Sequence, residues 1–173
     1  MKQCRLLRSL KQADLAAISA YEALKFLCPE LKLNSLKRYD AWIFSFRDTH
    51  SIDVDEFFSN LLSGSYFFIN PSKHRAFYQN LPQSIRAQDF DLKIISCQNK
   101  SSDLIQLPTT LADQLKDVYL EQKQYWEFIL ETGSCNDTQF SSAIIEPNGT
   151  SASLMYNPIY QSVKLEAVES LYA

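Results

Sequence analysis

Ser65-Tyr66-Phe67-Phe68-Ile69-Asn70-Pro71 is a run of strand-prone residues that ends on an Asn-Pro stop. A weaker echo follows much later, as Ala152-Ser153-Leu154-Met155-Tyr156-Asn157-Pro158. Each run comes after a glycine and polar residues, and each has another apolar run and a helix-like run upstream. The pattern reads as the last strand of an α/β unit that occurs twice. Two such units predict an α+β fold: two ferredoxin-like strand-helix-strand-(helix)-strand units, with antiparallel sheets and helices on one face. The first spans residues 1–80 and the second residues 89–173, packed into one body. The alternative is one mixed α/β domain without internal symmetry.

Working outward through the first unit, Cys4 to Arg8 reads as a short strand. Ser9 with Gln12 has capping-box spacing. Leu15, Ile18, Tyr21, Leu24 and Leu27 then mark one helix face, and the helix ends at Cys28-Pro29. Arg38 to Arg47 is expected as a central strand, because both its faces turn apolar after Asp40. Ser51 is the expected cap of a second helix, whose first turn carries Asp53, Asp55 and Glu56 where the dipole favours anions. Val54, Phe57, Phe58, Leu61 and Leu62 form its apolar side, and Ser63-Gly64 closes it. Lys73 to Tyr78 fits a short strand or a helical turn. The polar stretch through Gln83, Ser84 and Gln88 is the expected link.

In the second unit Phe90 to Cys97 is a strand. A long helix is expected from Pro108 to Gly133, with Leu111, Leu115, Val118, Tyr119, Gln122, Tyr125, Trp126 and Ile129 inward. Gln139 to Glu146 is expected as a strand and Pro147 to Thr150 as a turn. On this reading the short Asn148-Gly149 turn replaces the second helix of the first unit. Ser162 to Leu165 fits an edge strand and Glu166 to Leu171 a last helical turn.

Composition excludes several functions. The 173 residues are 46% hydrophobic, enough for a sizeable core, and the net charge is -3, which gives no basic face for nucleic acid. Glycine occurs only three times, so neither glycine-rich phosphate loop exists. Cys4, Cys28, Cys97 and Cys135 form no CxxC pair and have no histidine at zinc spacing, so reduced, inert thiols are expected and no metal site. No apolar run is long enough to span a membrane, and Met1 to Leu10 lacks a signal-peptide core; a cytoplasmic location is the expectation.

No catalytic motif is present, and no cofactor is expected. His50 lies in a turn beside Asp48 and Ser51, but a triad is assembled from separate loops, not from sequence neighbours. Lys73-His74-Arg75 is the densest basic spot and suits an anionic ligand or an acidic partner surface. Trp42, with Phe44 and Phe46, suits a core between the two units or a partner contact. The candidate ligand or partner residues are therefore Lys73, His74, Arg75 and Trp42.

The order strand, helix, strand, acidic-capped helix, strand near Asn-Pro resembles the small PurS-type subunit of phosphoribosylformylglycinamidine synthase. The residues that carry the likeness are Leu61-Leu62-Ser63-Gly64-Ser65 followed by Asn70-Pro71. The fused form of that enzyme opens with a domain resembling two such units, and this chain looks like that domain standing alone. The resemblance implies a non-catalytic scaffold in purine biosynthesis, with a glutaminase or synthetase subunit, or a second copy, as protein partner. The alternatives are a stand-alone small-molecule-binding or regulatory module, and a small enzyme that uses His50 or His74.

Overall fold

A computed structural model describes residues 2–47, 53–80, 90–100, 105–146, 155–157 and 159–172. Six strands form one antiparallel sheet: β1 (Lys2–Leu10), β2 (Leu33–Phe46), β3 (His74–Tyr78), β4 (Phe90–Asn99), β5 (Val118–Glu131) and β6 (Gln161–Glu166). Their order across the sheet is β3-β1-β2-β5-β4-β6. The helices are α1 (Leu15–Leu27), α2 (Val54–Ser63), α3 (Thr109–Gln114), α4 (Asp137–Ile144) and α5 (Glu169–Tyr172), with a 3-10 turn at Pro29–Leu31. The chain is thus α+β and antiparallel as expected, and a single sheet runs through both halves.

Several expected elements change identity. Gly133 does not end a long helix. The helix stops at Gln114, and Val118–Glu131 is a strand. Trp126, Phe128 and Leu130 alternate with Tyr125, Glu127 and Ile129, and all six are buried because β5 lies in the middle of the sheet. A core strand buried on both faces has the same unbroken apolar run as a buried helix. Gln139 to Glu146 is not a strand either. Asn136 caps α4 in a capping box, accepting from the Gln139 N–H while the Gln139 side chain accepts from the Asn136 N–H. A helix therefore follows β5 just as α2 follows β2, and no short turn replaces it.

The opening stretch is itself corrected. Tyr66 to Ile69 is irregular backbone that buries Phe68 and Ile69, and the strand comes after Asn70-Pro71 as β3. Asp14, not Ser9, caps α1, and Asp53 caps α2; Ser51, His50 and the expected turn at 147–150 lie outside the described residues. The inner face of α1 also differs. Ala17, Ala20 and Leu24 are buried, while Leu15, Ile18 and Leu27 are exposed.

Period-two alternation sorts the sheet into two faces. On one face lie α1 to α4 over two apolar clusters. The first joins Ala17, Ala20 and Leu24 of α1 to Trp126 and Phe128 of β5 and Phe140 of α4. The second joins Leu111 and Leu115, at α3 and just after it, to Trp42 and Phe44 of β2 and Phe58 of α2. Each cluster draws side chains from both halves of the chain. The other face carries Leu7, Tyr39, Ala41, Ile94 and Tyr125, covered by Leu171 of α5.

The arrangement is mirrored about the β2–β5 ladder. Asp40 pairs with Gln124, Trp42 with Gln122 and Arg38 with Trp126. Trp42 thus stands two residues past Asp40 as Trp126 stands two past Gln124, and Phe44 and Phe128 follow at the next matching step. Phe44 packs edge-on to Phe58, and Phe128 edge-on to Phe140. Leu6 pairs with Trp42 as Ile95 pairs with Trp126.

Candidate functional site

The entries to β3 and β6 are the same turn built twice. Asn70 Oδ1 accepts from the Ser72 N–H at 3.0 Å, and its carbonyl accepts from Lys73 and His74 at 2.9 and 2.8 Å. Asn157 Oδ1 accepts from the Ile159 N–H at 3.0 Å, and its carbonyl accepts from Tyr160 and Gln161 at 3.1 and 2.7 Å. Asparagine serves here because its short amide hydrogen-bonds its own backbone two residues on. Each turn is locked by a side chain four residues ahead. The Asn70 N–H donates to His74 Nδ1 at 3.1 Å, and the Asn157 N–H donates to Gln161 Oε1 at 2.8 Å.

His74 is therefore a structural acceptor. Its Nδ1 carries no proton, which places the proton of the neutral ring on Nε2. Burial holds its pKa below the ordinary value, and the Arg8 and Lys73 charges lower it further against an opposing pull from Asp40. Alternate pleat positions put His74 on the helix-bearing face and Arg75 on the other, while Lys73 lies in the exposed turn. Lys73, His74 and Arg75 thus do not form one basic patch. His74 instead joins Arg8, Asp14, Arg38 and Asp40 around a polar cavity of about 40 Å³. Its charges are matched: Arg8 Nε lies 3.3 Å from Asp40 Oδ2, and Arg38 Nε lies 2.9 Å from Asp14 Oδ2.

Trp42 stands elsewhere, in the wall of a larger cleft of about 810 Å³. The cleft opens because β4 and β5 part company. Their ladder ends at Cys97 and Gln124, although β5 stays paired to β2 as far as Val118 and β4 to β6 as far as Asn99. Phe67, Ile105, Leu107 and Leu120 line it with Trp42, and Gln106 and Gln122 supply amides. Trp42 is only 5% exposed, and its indole N–H is buried without an acceptor. The matching Trp126 N–H donates to Gln124 Oε1 at 3.1 Å. At Trp42 the corresponding residue is Asp40, whose oxygens are taken by Gln124 and Arg8. Sequence reasoning found Trp42, but it put Gln122 on the inner side of a supposed helix, where the structure puts it in the lining of a cleft.

A third feature was also missed. Glu127 is 2% exposed on the opposite face. It pairs with Lys37 Nζ at 3.1 Å and accepts hydrogen bonds from Tyr39, at 3.5 Å, and from Tyr172 of α5. Burial, and then the Glu127 charge and hydrogen bond, push the Tyr39 phenol well above its ordinary range. Burial pushes Tyr125 up to about 12. Both phenols stay protonated, and Tyr39 donates to Glu127.

Cys4, Cys28, Cys97 and Cys135 are buried free thiols, and burial pushes Cys97 up to about 12, far from a reactive thiolate. Among the described residues no three His, Cys, Asp or Glu side chains converge to hold a metal ion. No helix of the described residues is long and apolar enough to cross a membrane. The outer side of α1 carries three exposed apolar side chains, Leu15, Ile18 and Phe26 at 75%, 47% and 85%, interleaved with exposed Ser19 and Glu22 and opposite Ala17, Ala20 and Leu24. No protein-family model and no curated protein matches the chain.

Proposed function

We propose that the chain is a non-catalytic assembly subunit, built as a tandem of two PurS-like units joined edge to edge. The mirrored strand order carries this reading: three strands ordered about β1 meet three ordered about β4, with β2 and β5 as the seam. The twice-built asparagine turn, locked by His74 in one half and Gln161 in the other, supports it. So does the repeated sequence of strand, helix, strand, helix, strand in each half. The partner is a glutaminase or synthetase subunit of a purine-pathway amidotransferase, and it docks on the outer side of α1. A stripe of large apolar side chains facing water is costly for a monomer and is what a partner helix or sheet covers.

The test is a pull-down of the tagged full chain from extract of its own cells, with mass spectrometry of the retained proteins. Recovery of such a subunit from the native chain, and its loss from a Phe26→Glu variant with an unchanged melting curve, is the expected result. A partner-free chain at physiological salt, or equal recovery by the variant, overturns the reading. The cleft beside Trp42 favours a second reading, a small-molecule-binding module, in which the same chain carries a metabolite and no large partner.

A further inference from the structure

The mirrored sheet sets two polar cavities at matching places. Arg8 stands two residues past Leu6 as Cys97 stands two past Ile95, and Arg38 stands four before Trp42 as Gln122 stands four before Trp126. Asp40 matches Gln124, and His74 matches Gln161 as the lock of its turn. Arg8, Arg38, Asp40 and His74 line the first cavity, and Cys97, Gln122, Gln124 and Gln161 line the second. The first is filled by the chain's own guanidinium groups. Arg8 is paired to Asp40 and Arg38 to Asp14, and about 40 Å³ is left. In the second a thiol and a carboxamide stand where the two arginines stand, and about 140 Å³ is left. That is room for about four waters at roughly 30 Å³ each, or for one guanidinium head with its first carbon. Cys97 is buried, whereas Asn99 and Gln122 of the same lining are exposed, so the cavity is reached from solvent.

We propose that this second cavity binds a guanidinium group from outside the chain, in the place that the first half fills with its own arginines. The lining offers acceptors in excess. The amide nitrogens of Gln124 and Gln161 already donate, to Asp40 Oδ1 and Asn99 Oδ1, at 3.3 Å each. Their carbonyl oxygens accept from the Trp126 and Asn157 N–H groups, and each keeps a second lone pair. Asp40 lines this cavity too. It accepts from Arg8 at one oxygen and from Gln124 at the other, and a carboxylate has about four acceptor sites. Among the described lining residues no cationic head competes. Pleat alternation puts the Lys123 side chain on the opposite face with Tyr125 and Glu127, so Lys123 lines the cavity with its main chain. A planar cation with several donors and no acceptor suits such a lining, and guanidinium is that group. Two sources carry it, a small guanidino compound and an arginine side chain of another protein. The inference uses the mirrored fold but not the assembly role, because the cavity and the outer side of α1 share no residue.

Methylguanidinium is the probe, titrated into the full chain and followed by the two tryptophan indole N–H signals in heteronuclear NMR spectra. The Trp126 N–H is bonded to Gln124 at the cavity, whereas Trp42 does not line it. A saturable shift of the Trp126 signal is expected, with Trp42 unmoved and a Kd of about 1 mM, in keeping with so small a ligand. Methylammonium has the same charge without the planar fork and should bind about 10-fold more weakly, the loss of a charge-assisted hydrogen bond. Gln122→Arg should abolish binding by filling the cavity from within, as Arg38 helps to fill the first. Gln122→Glu should tighten binding about 3-fold, the scale of an exposed ion pair. Gln122 is exposed, so both variants should keep the native circular dichroism and cooperative melt. Agmatine and N-acetylarginine methylamide distinguish the sources: the tighter of the two tells whether a free compound or a protein side chain is the better fit, and binding by either upholds the proposal. No saturation by about 20 mM methylguanidinium overturns it. So does a shift at Trp42 in place of Trp126, methylammonium binding as tight as that of methylguanidinium, or undiminished binding by Gln122→Arg.

Discussion

Replacing His74 tests whether the two asparagine turns are one device. In His74→Ala the Asn70 N–H loses its acceptor at 3.1 Å in a half-buried position. An unmade hydrogen bond of this kind costs about 1 kcal/mol. For a chain of 173 residues that lowers the melting temperature by about 3 °C. His74→Gln should cost almost nothing at pH 7, because Gln161 makes the same bond to Asn157 at 2.8 Å. The two variants should then separate further with pH. Folding lowers the His74 pKa below 6.5, so the unfolded chain binds this proton more readily. The contribution is whole above pH 6.5 and falls as the pH drops through that value toward the lowered folded pKa. Protonation also removes the lone pair that Asn70 uses. His74→Gln should therefore be more stable than the native chain at pH 5 and equal to it at pH 7, by urea melts at both values. If His74→Gln is as damaged as His74→Ala at pH 7, or keeps the native pH dependence, the turns are not equivalent and the locking role is wrong.

Two further outcomes follow from burial. Glu127→Ala leaves Lys37, the buried Tyr39 phenol and the half-buried Tyr172 phenol without their shared acceptor, a loss on the order of 3 kcal/mol, so thermal unfolding should shift by about 10 °C. Glu127→Gln, which keeps an acceptor, should shift it by less than half as much; equal shifts would mean that packing rather than the polar cluster holds α5. Expressed alone, residues 1–80 should not fold as a stable monomer, because the Ala17, Ala20 and Leu24 side of α1 is covered from β5 and α4. A cooperative monomeric melt of that fragment, seen by circular dichroism and sedimentation, would show that the halves do not depend on each other.

The strands that the sequence marks clearly are those whose pattern has only one interpretation. Lys2–Leu10 and Phe90–Asn99 carry short apolar runs bounded by polar residues. The Val118–Glu131 segment has two, because Trp126 and Ile129 share one side of a helix, while in a strand buried on both faces they are buried on opposite sides. Only the ladder to β2 decides between them, and that pairing joins residues about 85 apart in the chain, as at Tyr39 and Tyr125. The Asn136–Gln139 capping box was legible and was passed over in favour of β-prone residues nearby. His74 and Trp42 were visible as residue types. Their settings were not, since a lock on a turn and a wall of a cleft both come from strands that meet only in the folded sheet.

The difference between the halves reduces to a few side chains on one face. The centre of the sheet pairs Asp40 with Gln124, so a single carboxylate there is shared by Arg8 on one side and the Gln124 amide on the other. Two aspartates facing each other at that point would repel across the ladder. The arrangement works because the second half carries the neutral residue. The two positions then differ: Gln124 accepts from the Trp126 N–H, whereas Asp40 accepts from Arg8 and Gln124 and the Trp42 N–H is left without an acceptor. The half that keeps the carboxylate has Arg8 paired to Asp40 and Arg38 to Asp14, and the Trp42 indole N–H stays buried without an acceptor. The cavities at the matching places differ in the same sense: about 40 Å³ beside Arg8, Arg38 and His74, and about 140 Å³ beside Cys97, Gln122 and Gln161.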